Sequence, residues 1–178
     1  SHSKSFDEKN VFNYFSALLS LEKNKSIESL KYFNFSKDLK ESHPSYIKKY
    51  LFSLVLSNKV QRAIREVNIT KDKNFTDFFE AHLLLALDSM KKNEHKKTHN
   101  YLNNLKKHSQ ASTFKLIISS FLEEYSYLFK YKKIKTNSDN QFGKMSLINR
   151  SLQNCYLGHP LTESIFEDLT NYNEEGYS

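Results

Sequence analysis

Residues 56–64 read LSNKVQRAI: an apolar run stops at Leu56, turns on Ser57-Asn58-Lys59, and restarts at Val60 with a small residue, Ala63, three positions on. Asparagine is, after glycine, the residue that best tolerates the left-handed backbone that ends many helices. The stretch therefore reads as the joint of a helical hairpin. Short polar breaks of the same kind fall at 22–25 and 91–93, with Asn24 and Asn93 in the place of Asn58. Connections this short join antiparallel neighbours.

On both sides of each joint, apolar residues recur at helical spacing, as in Phe12, Phe15, Leu18 and Leu19, then Ile27, Leu30 and Phe33. Periodicity predicts helices over 8–22, 26–40, 44–56, 60–70, 76–91, 94–107, 110–130, 141–156 and 160–172, with longer breaks near 71–75 and 135–140. Pro44 after Ser42-His43 suits a first helical turn, and Thr76-Asp77-Phe78-Phe79-Glu80 offers cap residues with a glutamate for a capping box. No segment reads as a strand.

Composition agrees. The 178 residues include three glycines and two prolines, too few for an all-β domain rich in tight turns, and too few glycines for a phosphate loop or a dinucleotide fingerprint. Hydrophobic residues make up 38%, with 11 Tyr and 14 Phe, enough to build one core or a row of small ones. The lone Cys155 can make neither an internal disulfide nor a CxxC site, and within NRSLQNCYLG it reads as a small core residue. A run of about 18 apolar residues, which a membrane span needs, is missing, and the polar start is no signal peptide. Ser1-His2-Ser3 reads as a cloning remnant, so localisation is open: the cytoplasm is favoured, and export through a trimmed signal is the alternative.

The small residues that open each second helix recur as Ser29-x3-Phe33, Ala63-x3-Val67, Thr98-x3-Leu102 and Thr162-x3-Phe166, at spacings of 34, 35 and 64. A fixed period near 34 is the mark of stacked helical repeats. Small side chains at hairpin crossings let two helices approach to about 8–10 Å. This pattern resembles the tetratricopeptide repeat, a helix-turn-helix unit with A-x3-F in its second helix and a small residue twelve positions earlier in its first. Ala17 and Ala86 hold that earlier position in the first and third units, while Leu51 and Arg150 depart from it. The alternative is a generic helical bundle.

The resemblance implies an all-α, α-α superhelix: a right-handed solenoid of about nine helices in four to five units, near 10–43, 44–75, 76–109, a degenerate 110–140, and 141–172. These would form one repeat domain over 8–172, between a disordered start at 1–7 and a tail at 173–178. It also implies a concave groove lined by the first helix of each pair, which carries over to Tyr14, Leu18, Lys48, Phe52, Leu83 and Leu87. The expected function is recognition of an apolar or amphipathic segment of another protein or peptide, without catalysis or cofactor, and with self-association as a variant. A carboxylate clamp for chaperone tails would need lysines and asparagines where only Lys48 stands.

The remaining candidates for chemistry carry less. His95 and His99 share a helix face and could chelate a metal, but no third ligand accompanies them, and Lys92, Lys96 and Lys97 oppose a cation. Glu123-Glu124 and Glu174-Glu175 are adjacent, so on a helix they point about 100° apart and do not flank one bond. The net charge of +7 is carried by lysines clustered at 91–107 and 130–135. A basic helical adaptor for nucleic acid or an anionic membrane surface is the alternative function, disfavoured because arginine, the bidentate phosphate reader, is nearly missing.

Overall fold

The computed structural model describes residues 7–135, 142–160 and 162–171. Among them the chain is helical with no strand: α1 (Glu8–Glu22), α2 (Ser26–Phe35), α3 (Pro44–Leu56), α4 (Val60–Ile69), α5 (Phe79–Lys91), α6 (His95–Lys107), α7 (Thr113–Tyr131), α8 (Lys144–Tyr156) and α9 (Thr162–Asn171). No helix is long and apolar enough to cross a membrane. Two compact units form, Ser1–Asp88 and Ser89–Ser178. The expected start at 1–6, the residues 136–141 of the degenerate fourth and the last units, and the tail at 173–178 lie outside the described residues.

Several helices are shorter than their periodicity suggests, and for α2 and α5 the local hydrogen bonds give the reason. The second stops at Phe35 because the Ser36 hydroxyl donates back to the Tyr32 and Phe33 carbonyls, and a 3-10 turn, Lys37–Glu41, follows. The fifth starts at Phe79 instead of Thr76, since Lys73–Thr76 is itself a 3-10 turn capped by Asp72, whose carboxylate accepts from the Asn74 amide at 2.9 Å.

The hairpin joints repeat bond for bond. Asn24, Asn58 and Asn93 each have φ of 57°, in the left-handed region. The following amide donates to the carbonyl five residues back each time: Lys25 to Ser20 at 2.8 Å, Lys59 to Leu54 at 2.8 Å and Glu94 to Ser89 at 2.9 Å. A fourth joint stands at Gly158, with φ of 66° and the His159 amide on the Asn154 carbonyl at 3.0 Å. Asn58 is exposed, so its backbone, not its packing, sets what it can be replaced by. We expect Asn58→Gly to leave thermal stability within a few tenths of a kcal/mol, and Asn58→Val to cost about 1–2 kcal/mol through its branched Cβ. Equal melting temperatures for the two variants would refute the turn's role.

In the unit Ser1–Asp88, the two small residues twelve positions apart meet: the Ser29 hydroxyl lies 2.8 Å from the Ala17 carbonyl, and 2.9 Å from the Ser53 hydroxyl on the next hairpin. All three are buried, so the polar contact is made where the helices come closest. Around this crossing Phe33, Tyr46, Tyr50, Ile47 and Leu54 fill the core. Phe33 meets Tyr46 edge-on at 5.3 Å, a geometry that aromatic quadrupoles favour, and lies tilted against Tyr50 at 5.7 Å. The Tyr46 hydroxyl donates to the Phe33 carbonyl, which satisfies its one buried polar atom.

In the unit Ser89–Ser178, Ser89 and Thr98 hydroxyls pair at 2.9 Å across the third joint. Helix α7 is capped at its start by Ser112, whose hydroxyl accepts from the Lys115 amide, and at its end by Lys132 with φ of 53°. Helix α8 is inverted. It buries Asn149, Ser151, Gln153 and Asn154 and exposes Met145, Ile148 and Leu152, because the Glu124 carboxylate on α7 accepts from Asn149 at 2.7 Å and Gln153 at 2.6 Å. Cys155 is consequently exposed, correcting its expected place in a core.

Candidate functional site

Helix α3 forms because Pro44 presets its first turn and Tyr46, Ile47, Tyr50 and Leu54 give it one buried stripe. Its other stripe, Lys48, Phe52 and Val55 at i, i+4 and i+7, stays outside that core. Leu83 and Leu84 of α5, together with Phe78 just before it, face that stripe across an apolar groove of about 380 Å³ floored by the buried Leu51. Phe52 is 53% exposed there, unusual for a phenylalanine beside other apolar groups.

The rim is charged. Lys48 and Lys49 stand on the α3 side and Glu80 on the α5 side. Lys48 Nζ lies 3.5 Å from Glu80 Oε2 and 5.6 Å from the Phe78 ring centroid. Both charged side chains are about half exposed, so the pair contributes at most about 1 kcal/mol and opens at little cost. The lining supplies apolar contact and an electrostatic margin, which is the chemistry of recognition.

Of the six positions expected to line a groove, Lys48, Phe52 and Leu83 come together here. Leu87 lies one turn beyond Leu83 and is 46% exposed, but does not line this cavity. Leu18 is half-buried against the core. Tyr14 is a correction: at 7% exposure it sits inside, stacked on Tyr46 at 6.0 Å and tilted against His43 at 4.9 Å, because α3 covers that face of α1. Sequence reading missed Lys49, Val55, Phe78, Glu80 and Leu84. Lys49 and Val55 could have been found as the i−3 and i+3 neighbours of Phe52, which any helix places on one face.

The positions assigned to repeat packing divide differently. Ala17, Ser29, Phe33, Ala63, Val67, Ala86, Thr98 and Leu102 are all buried. Thr162 is half-buried and donates to the His159 carbonyl at 2.6 Å. Phe166, expected to wedge between units, is 39% exposed, since α9 packs along α8 and this ring lies off that seam. His95 and His99 are both exposed, and His99 Nε2 is 3.2 Å from the Asn103 amide nitrogen.

Comparison of the chain with protein-family models, with curated proteins and with solved structures returns no match.

Proposed function

We propose that this chain is a tetratricopeptide-like scaffold whose α3/α5 groove takes an apolar or amphipathic segment of a partner protein, and that it works by recognition and not by catalysis. The observation that carries the reading is Phe52, more than half exposed at the mouth of a groove otherwise made of Leu51, Val55, Phe78, Leu83 and Leu84. Filling that groove would remove apolar surface from water at about 25 cal/mol per Å². The recurrent joints and the Ser29–Ala17 contact support a repeat architecture independently of the groove. An occupant laid along α3 would bury leucine-like side chains at i, i+3 or i+4, and i+7, with a carboxylate positioned for Lys48 and Lys49.

The test is a crosslinking pull-down with wild-type protein and Phe52→Asp, repeated at high salt. Phe52 is exposed, so circular dichroism of the variant should match wild type. We expect partners held by the groove to bind at least tenfold more weakly to Phe52→Asp, and to survive salt, because apolar contacts are not screened. Identical prey lists for the two baits would overturn the assignment. Capture lost in salt but indifferent to Phe52→Asp would favour the lysine clusters instead.

A further inference from the structure

A second concavity of about 640 Å³ lies within the unit Ser89–Ser178, between α6 and α7. Its position follows from helical spacing. His95 and His99 are one turn apart on α6, and Tyr127, Lys130 and Tyr131 share a face of α7, with the buried Leu102 behind them. The left-handed residue Lys132 ends α7 and sends its own ammonium to the Tyr156 hydroxyl at 2.9 Å, whereas Lys135, three residues on, returns to the concavity.

The electrostatics are one-sided. Lys96, Lys130 and Lys135 line the same space, along with His95 and His99. Among the described lining residues the one carboxylate is Glu123, and Lys106 already approaches it at 3.7 Å. Gathering like charges in a concave site raises the local potential for an anion. Beside the lysines, Tyr127 and Tyr131 form an aromatic wall with ring centroids 4.6 Å apart, and Lys130 Nζ lies 4.8 Å from the Tyr131 ring. Ammonium groups grip phosphates as point charges, and a tyrosine face takes a planar ring. The volume falls in the range of about 300–1,000 Å³ usual for small-molecule sites.

We propose that this pocket binds a nucleoside polyphosphate, with its phosphates among Lys96, Lys130 and Lys135 and its base against Tyr127 and Tyr131. Side-chain ammoniums here replace the glycine-rich backbone cradle that the chain lacks. The proposal rests on the α6/α7 pocket alone and stands apart from the α3/α5 groove.

Calorimetric titrations with ADP, inorganic pyrophosphate and a short single-stranded oligonucleotide test it, using the whole chain. We expect ADP to bind, pyrophosphate to bind more weakly, Lys130→Glu and Lys96→Glu each to weaken ADP at least tenfold, and Tyr127→Ala to weaken ADP while leaving pyrophosphate unchanged. Lys96, Lys130 and Tyr127 are exposed, so these variants should keep the wild-type dichroism. Absence of ADP binding at millimolar concentration, or binding indifferent to both lysine changes, overturns the site. Oligonucleotide binding without ADP binding also overturns it, in favour of a nucleic-acid surface. Equal affinity for ADP and pyrophosphate, untouched by Tyr127→Ala, overturns the role given to the base.

Discussion

Replacing Phe33 by alanine is expected to destabilise the unit Ser1–Asp88 by about 4 kcal/mol, within the range of about 3–5 kcal/mol measured for buried phenylalanines in other cores. Phe33 is fully buried and meets three rings: Tyr14 at 6.1 Å, Tyr46 at 5.3 Å and Tyr50 at 5.7 Å. Its loss removes transfer free energy and leaves a cavity that tyrosines cannot easily close, because the Tyr46 hydroxyl is tied to the Phe33 backbone carbonyl and the Tyr50 hydroxyl accepts from Arg62 at 2.8 Å. Collapse of either ring into the hole would break a hydrogen bond. Hydrogen exchange resolved to α1–α4 checks this: protection in these helices should fall together by about three orders of magnitude. Loss confined to α2 would mean that Phe33 is a local wedge and not the centre of the core.

Phe33 was legible as a core residue from its sequence because two independent signals met there, the helical apolar period and the small-x3-large offset from Ser29. The joints were legible for a stricter reason. A left-handed residue is a backbone requirement of one position, and Asn24, Asn58 and Asn93 meet it without help from distant residues. Tyr14 and Cys155 misled because each depends on a partner far away in the chain. Tyr14 is covered by Tyr46, 32 positions on, and a rule that places groove residues by offset within one unit does not see that cover. The apolar run NRSLQNCYLG predicts a core place for Cys155. One carboxylate on α7, Glu124, reverses that choice by offering acceptors to Asn149 and Gln153, so the amide face turns inward. Hydrophobic period cannot register such a pairing, since asparagine and glutamine score as solvent-facing wherever they stand. The α3/α5 groove lies between these cases. Phe52 and Leu83 sit at periodic positions, but that they face each other across open space depends on where the turn Lys73–Thr76 delivers α5.

Raising the pH should unfold the same unit steeply. Tyr14, Tyr46 and Tyr50 all have hydroxyls held above the ordinary tyrosine value of 10.0, chiefly because burial penalises the phenolate. Tyr46, the most deeply buried, lies beyond the usual tyrosine range, raised further by Tyr50. At Tyr50 the Glu66 carboxylate adds to the upward push, while Arg62 opposes it through charge and hydrogen bond. The sign follows from which state holds the proton. Below the unfolded value both states are protonated, and the stability is intact. Above it the unfolded chain releases protons that the folded unit keeps, so stability falls until the raised folded values are passed. Tyr46, whose shift is the large one, brings the slope toward about 1.4 kcal/mol per pH unit once the unfolded value is passed, and Tyr14 and Tyr50 add to it in the same direction. A series of urea unfolding curves from about pH 8 to about pH 11 should therefore be flat at first and then drop. Tyr50→Phe should make the drop shallower while costing little at neutral pH, because the ring stays and what is lost is the hydrogen bond from Arg62 and the long one, 3.5 Å, that the hydroxyl gives to Asn34 Oδ1. A profile that stays flat through pH 11, or an undiminished slope in Tyr50→Phe, would mean that these hydroxyls reach water before the unit unfolds, which a core closed around Phe33 does not allow.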